Sequence, residues 1–487
     1  MLPLIALAFA LRLFHLDKQS LWFDEIVIVA LAKMSWYDGF IAALGQGMQL
    51  TPVFHGIIKL WLLVGDSDWL LRFPAVLFNV LTLPLLFHLG RLYFDKSVGL
   101  LATFLFAINP FQIWYAQELK LYALLPFIAA GAMYSFCQMI RTRGEHGLGL
   151  LILFNLIGLP AHYFMFLIST VQFLYLILNF KSTHLLLYHW IIAQAIGVFP
   201  LILWWVFIIQ QQFFTVGIGW IPIPYWYSLL LTLWNVLFLY TGTLSIVTVM
   251  ALIVVIISLG FGFRSMETQI NWRSLMMLWL LFPPIITFVL SFGQVSFYVD
   301  RYFLIVTPIL TIFMAIGLLN LPGRLLRWSV LLFFIIVTGL GVWRVYFDNE
   351  NFSKEDWRKL AYLLDTRVEP DHLVITCTDG HWLSLEYYNA HHKLTTDNII
   401  FAAQIPEVSK KDYNIAWVVD MHEGLSIHSL VKSTPPILDR ALLPSEVAIW
   451  EKNSLQDIII VSGISAYQYQ LTDTRFLKDV VDWHCQN

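Results

Sequence analysis

The stretch 20-SLWFDEIV-27 decides how this chain is read. The apolar run Leu2 to Leu16 precedes it and more apolar chain follows, yet Asp24 and Glu25 stand side by side in its middle. Carboxylates are costly at membrane depth and tend to mark function there. The plainer reading is a helix start: Asp24 would cap the helix that follows, and both acids would favour its positive end. A cap accounts for one acid more easily than for two.

Working outward, the chain has 487 residues, 59% hydrophobic and 13% charged. Soluble globular proteins carry about 25% charged residues, so this is a multi-span membrane protein. The charge is divided unevenly. Residues 1–347 hold 17 Lys and Arg against 11 Asp and Glu, a net of +6. Residues 348–487 hold 12 against 21, a net of −9, and together these give the −3 of the whole chain. A membrane domain, 1–347, is therefore expected ahead of a soluble acidic domain, 348–487, long enough for its own core. That acidic segment argues against nucleic acid or an anionic lipid surface as partners. Of the three cysteines, Cys137 lies in an apolar run, while Cys377 and Cys485 are free to pair in an oxidising compartment. The first apolar run lacks the basic start and cleavage site of a signal peptide. It is also short against the roughly 20 residues of a span, so either the helix is short or the true start lies upstream of Met1.

Apolar runs predict eleven spans: 1–16, 70–91, 97–116, 119–140, 147–161, 163–180, 185–209, 243–263, 274–292, 302–320 and 328–346. With that count, Arg91 and Lys96, Arg141 and Arg143, Lys181, Arg264 and Arg273, and Arg324 and Arg327 all fall on one side. Basic residues in short connections mark the cytoplasmic side, so the loop 17–69 and the C-terminal domain are expected outside. Trp22, Trp69, Trp114, Tyr115, Trp220 and Trp226 then form an outer aromatic belt. Within 17–69, DEIVIVALAKMSWYDGFIAAL reads as a helix lying in the interface, and TPVFHGIIKLWLLVG as a second. The segment 226–241 reads as a third interfacial helix. In the C-terminal domain KEDWRKLAYLLDTR and HWLSLEYYNAH read as helices and HLVITC, IAWVVD and DIIIVSG as strands, an α/β layer.

Basic residues on the outer side run against the topology rule, so each asks for a reason. Arg12 lies in the first span; Arg72, Lys120 and Arg301 open the second, fourth and tenth. Snorkelling to headgroups would explain any one of them. Four cations and an acidic pair at one face read as a functional site. Sugar transfer from a lipid phosphate wants this inventory. The leaving phosphate is a stable anion and needs no proton, so one carboxylate suffices as base on the acceptor hydroxyl. Fixed cations offset the charge gathering on the phosphate. The alternative is a transporter or flippase of a lipid-linked substrate, which would show ionisable residues along a mid-membrane path and inverted repeats; the ionisable residues here sit mainly at span ends.

The segments LRLFHLDKQSLWFDE, TPVFH, LRFPAVLFNVLTLPLLFHLGRLYF, GLLATFLFAINPFQIWYAQELKLYAL and RYFLIVTPIL, in this order, resemble the GT-C membrane glycosyltransferases. The nearest type is the bacterial relatives of protein O-mannosyltransferases and of the aminoarabinose transferase of lipid A. KEDWRKLAYLL, HLVIT and EYY resemble the C-terminal domain of bacterial members. The likeness covers residues 1–130 and 295–390. It implies a polytopic α-helical GT-C fold with a C-terminal α/β extracytoplasmic domain, in the bacterial plasma membrane. It implies Asp24 as base, with Glu25 orienting the acceptor or shaping the site, and Arg301 and Tyr302 at the donor phosphate. Thr51 stands where the family has a first proline, and Lys120 where it commonly has arginine. Arg72 and Lys120 join the phosphate contacts, and Arg12, His55, Gln117, Glu118 and Tyr122 are expected nearer the substrate. The resemblance allows a divalent metal near His15, His55, His162 and Glu118, but no ligand spacing supports one. The expected activity is an inverting hexosyl or pentosyl transfer from a polyprenyl-phosphate sugar to a protein, lipid or glycan acceptor.

Overall fold

In the computed structural model of the chain the described residues are all but 46–51, 145, 211–220, 241–245, 265–271, 349–351, 370–371, 378, 390–398, 402–414, 422–454, 462–463 and 471–487. Helices dominate up to residue 347. They are α1 Leu2–Leu13, α2 Phe23–Lys33, α3 Trp36–Gly45, α4 Pro52–Trp61, α5 Asp68–Tyr93, α6 Lys96–Ile108, α7 Pro110–Ala116, α8 Leu124–Arg141 and α9 Leu148–Ala161. There follow α10 Met165–Leu178, α11 Phe180–Gln210, α12 Ser228–Phe238, α13 Ile246–Arg264, α14 Trp272–Leu290, α15 Thr307–Asn320 and α16 Arg324–Phe347. Each of the eleven expected spans coincides with one of these helices or with a bent pair. Among the described residues seven are long and apolar enough to cross a membrane alone, or eight if the bent pair α6 and α7 counts as one. The helices α1, α9 and α10 are shorter.

By internal contacts the chain divides into two compact units: Met1–Leu16 with Leu31–Val345, and Asp17–Ala30 with Tyr346–Asn487. In the first, α15 is the centre, with its apolar side chains buried on every face. Helix α13 meets it closely: a Cβ on Gly317 would lie 1.8 Å from the Ser258 carbonyl oxygen, so only glycine allows this approach. By contrast α11 and α13 leave Leu203, Trp205, Ile253 and Ile256 exposed, the surface an outer helix turns to lipid.

Caps read directly from sequence set several helix starts. Ser67 accepts from the Leu70 amide at α5, Asp95 from Ser97 and Val98 at α6, and Asn109 from Gln112 at α7. Pro110, with no N–H, forces a 59° bend between α6 and α7. The break leaves carbonyls at the end of α6, and Arg12 takes them. Its guanidinium donates to Ala107 O at 2.9 Å, Phe106 O at 3.4 Å and Ala8 O at 3.2 Å, and its Nε to Asn79 Oδ1 at 2.7 Å. The chain continues from Asn79 Nδ2 to Gln112 Oε1 at 2.9 Å, and from Gln112 Nε2 to Thr307 Oγ1 at 2.8 Å. A buried charge is tolerable when it is hydrogen-bonded in this way.

The expected single helix across 24–44 is two, α2 and α3. Ser35 breaks it, because its Oγ caps the Asp38 amide while donating to the Asp38 carboxylate. Lys59 from α4 donates to the carbonyls of Ala32 and Met34, closing the end of α2. Thr51 lies outside the described residues, as does Trp220.

In the second unit α17, Trp357–Arg367, is capped by Asp356, and α18 is Asp379–Tyr388. Five strands, β1 His372–Thr376, β2 Ile399–Phe401, β3 Ile415–Met421, β4 Leu455–Val461 and β5 Ile464–Gln470, form one sheet in the order β2-β1-β3-β5-β4. Strand β1 pairs parallel with β2 and β3, while β5 pairs antiparallel with β3 and β4. Strands β1, β3 and β4 were expected; β2 is only three residues long, and β5 mixes Tyr and Gln into its run. Cys377, just after β1, is disulfide-bonded, and Cys485 lies outside the described residues.

Arg12→Met should lower the stability of the membrane unit by roughly 2–4 kcal/mol, since it strands several buried acceptors at 1–3 kcal/mol each. Thermal unfolding in detergent measures it.

Candidate functional site

Helix α2 begins at Phe23, so Trp22 occupies the capping position, and tryptophan is no N-cap. The first-turn amides are served differently. Glu25, three residues on, reaches back so that its Oε2 accepts from the Trp22 amide at 3.2 Å, the return arm of a capping box. The Phe23 amide donates to Glu355 Oε2 at 3.1 Å, and Trp357 Nε1 donates to the same oxygen at 3.1 Å. Glu25 is fully buried, with Lys354 Nζ 3.8 Å from its other oxygen. Asp24, one position earlier, is half-buried and does not occupy the capping position. Adjacent acids that look equivalent in sequence thus have different surroundings.

The approach to α2 is pinned at several points. Gln19 Nε2 donates to Phe352 O at 2.8 Å and its Oε1 accepts from the Lys354 amide at 3.1 Å. Ser20 Oγ donates to Glu355 O at 2.8 Å, and the Leu21 amide to the Tyr388 hydroxyl at 2.7 Å. Arg358 donates to Asp17 O with both terminal nitrogens at 3.2 Å. Sequence reading quoted KEDWRKL as a helix but did not connect Lys354 and Glu355 with the acidic pair. Burial pushes the Glu355 carboxyl above its ordinary value, and the nearby Asp24 adds to the rise, against the hydrogen bonds from Phe23 and Trp357.

A separate cluster lies in the membrane unit. Arg301 belongs to the 3-10 stretch Asp300–Val306 that leads into α15. Its guanidinium carbon stands 5.2 Å from the Tyr122 ring centre and 5.9 Å from that of Tyr302, which suits cation–π contact. His162 packs edge-on against Tyr302 at 4.7 Å, and the hydroxyls of Tyr115 and Tyr240 meet at 2.7 Å. Glu118, buried, is within electrostatic reach of Arg301. Asp300 fixes the backbone beside Arg301: its carboxylate accepts from Thr232 Oγ1 and, at 2.7 Å, from Asn235 Nδ2, both on α12. Tyr298 donates to Thr232 Oγ1 at 2.7 Å. Sequence reading did not single out Asp300, Thr232 or Asn235, because the link joins residues more than sixty positions apart.

Arg301, Tyr302, Tyr122 and Glu118 are therefore brought together. The other expected residues are placed differently. Arg72 is buried and donates to Leu16 O at 3.0 Å. Gln117 Nε2 donates to Arg12 O at 3.0 Å and Phe14 O at 2.7 Å, holding the end of α1. Arg12 is wholly buried in the network around the bend between α6 and α7. Lys120 is half-buried, and its amide donates to Glu118 O at 2.7 Å. His55 on α4 is buried between Trp36 and Phe40, with neither ring nitrogen hydrogen-bonded; burial, then Lys59, lowers its basicity. Among the described residues no three His, Cys, Asp or Glu side chains group to hold a metal.

Residues 49–206 match the family model described as dolichyl-phosphate-mannose-protein mannosyltransferase. The fold is similar to the crystal structure of ArnT from Cupriavidus metallidurans bound to undecaprenyl phosphate, with TM-score 0.60 and 11% identity, covering 97% of this chain and 98% of that one. It is likewise similar to the apo state of the same protein, with TM-score 0.58 and 11% identity over 96% and 97% of the two chains. No curated protein matches the sequence. The chain is a membrane protein with the GT-C fold of glycosyltransferases, the fold its sequence resemblance implied.

Glu355 makes a pH-dependent contribution. A carboxyl held above its ordinary value of 4.5 keeps its proton in the folded chain where the unfolded chain has released it. Its contribution to stability therefore declines as pH rises from the ordinary value through the raised one, and is level above that. The stability difference between wild type and Glu355→Gln, read from unfolding at a series of pH values, should decline with pH across that window.

Proposed function

We propose that the chain is an inverting glycosyltransferase that moves a sugar from a polyprenyl phosphate to an acceptor hydroxyl on the outer face of a bacterial plasma membrane. The observation that carries this reading is the division of labour in the acidic pair. Glu25 is buried against Lys354 and the Trp22 amide, while Asp24 keeps partial exposure at the positive end of α2. A carboxylate placed like this is fit to act as a base.

In the proposed reaction Asp24 takes the acceptor proton as the acceptor oxygen bonds to the anomeric carbon. The bond from that carbon to the phosphate oxygen breaks on the opposite face, and polyprenyl phosphate departs as an anion. Attack opposite the leaving group inverts the anomeric centre. Arg301, framed by Tyr122 and Tyr302, offsets the charge on the phosphate, and Tyr302 lines its place. Lys120 and Arg72 are the further cations of this proposal; Arg72 donates to Leu16 O, so its contribution is charge more than bidentate contact. Arg12 and Gln117 act through structure. The ArnT crystal form that contains undecaprenyl phosphate supports a lipid phosphate of this class as the donor carrier. No observation favours a transporter.

Asp24→Asn tests the base. The amide cannot take a proton, so transfer should fall roughly 10²–10⁴-fold while the protein stays folded. Consumption of polyprenyl-phosphate sugars, followed by mass spectrometry in lipid extracts of a strain lacking the gene, reads the rate. Near-normal transfer by a folded Asp24→Asn protein would remove Asp24 from the mechanism.

The outer orientation is proposed on two grounds: the basic short loops, and the disulfide of Cys377, since such bonds persist in oxidising compartments. A reporter active only outside the cytoplasm should work when fused after Asn487 and be silent when fused after Arg143. The reverse pattern would overturn the orientation.

A further inference from the structure

The dipeptide Asp24–Glu25 is answered by a second dipeptide, Lys354–Glu355, 330 positions later in the chain. Lys354 stands beside the buried Glu25, and Glu355 binds the amide of Phe23, the residue directly before Asp24. A helix start normally draws its cap from its own preceding residue. Here that residue is Trp22, which has no side-chain acceptor, and the carboxylate comes from the segment ahead of α17. Glu355 is itself held from both sides: Trp357 Nε1 donates to the oxygen that receives Phe23, and Ser20 Oγ donates to the Glu355 carbonyl. The Tyr388 hydroxyl takes the Leu21 amide, so the backbone entering α2 is fixed immediately before the acids.

We infer that Glu355 is a positioning residue for the proposed transfer: it caps α2 in trans and thereby sets where the Asp24 carboxylate stands. This rests on Asp24 being the base. Glu355 itself touches no substrate in this scheme. A one-residue separation between the capped amide and the base makes the placement direct, and small misplacements of a reacting group are costly, about 10²-fold for 1 Å. The charge of Glu355 is not what the role requires. Its acceptor oxygen is, and an amide oxygen at the same place can accept the same two hydrogen bonds.

The test compares Glu355→Ala, Glu355→Gln and Asp24→Asn in the full-length protein, alone and combined. Donor consumption is followed in lipid extract from a strain lacking the gene, and undecaprenyl phosphate binding is measured by thermal shift as the control for an intact fold. Glu355→Ala should slow transfer roughly 10- to 100-fold while undecaprenyl phosphate still stabilises it. Glu355→Gln should restore most of the rate. Adding Glu355→Ala to Asp24→Asn should cost little more, because a cap has nothing left to position once the base is gone. Wild-type transfer by a folded Glu355→Ala protein, with Asp24→Asn still defective, would overturn the positioning role and leave the base standing. Equal loss in Glu355→Ala and Glu355→Gln would also overturn it, since charge and not the acceptor would then be at work. Should Glu355→Ala fail to fold, the glutamine variant decides alone. Full activity in Asp24→Asn would overturn both readings at once.

Discussion

Pro110 cannot donate a hydrogen bond, and the membrane unit is organised around that fact. The proline ends α6, turns the chain by 59° into α7, and strips an inward-facing carbonyl of its usual helical partner. In hydrocarbon an unsatisfied carbonyl has no water to turn to. Arg12 answers from α1 and at the same time grips Asn79 on α5, whose amide passes the connection to Gln112 on α7 and so to Thr307 at the start of α15. One imposed break thus ties five helices together by directional contacts, which apolar packing alone would not specify. The stretch that carries Glu118, Lys120 and Tyr122 follows α7, and the stretch that carries Arg301 precedes α15. Their local arrangement follows from this network.

Two carboxylates elsewhere show the same economy of roles. Asp300 is bound by Thr232 and Asn235 and so holds the backbone next to Arg301. Glu355 is bound by Phe23 and Trp357 and holds the backbone next to Asp24. In each case an acid spends its acceptors on a neighbour's geometry. Charged groups are therefore not all of one kind: some serve the backbone geometry of a neighbour. Glu25 and Asp24 differ in burial within a single dipeptide.

The long apolar helices were readable because a span is a local property: about 20 apolar residues in a row satisfy their own backbone and match the hydrocarbon thickness. Helix caps such as Ser67, Asp95 and Asn109 were readable for the same reason, since donor and acceptor lie within three residues. Asp24 and Glu25 stood out because carboxylates among apolar residues are expensive. Local reading failed where two local signals competed. The apolar pattern of residues 24–44 suggested one helix, and the Ser35–Asp38 cap divided it.

Other features rest on distance along the chain. The buried partners of Arg12, Asn79 and the Ala107 carbonyl, arrive from 67 and 95 positions away. Asp24 looks like a cap until the fold supplies Glu355 from 332 positions away, leaving the cap to one acid and partial exposure to the other. The sequence by itself determined that the chain crosses the membrane many times, where its helices lie, and which residue types are too costly to be accidental, because hydropathy and capping act over a few neighbouring residues. Only the tertiary structure decided which of those residues hold the framework, because the partners of Arg12 and Glu355 come from remote parts of the chain.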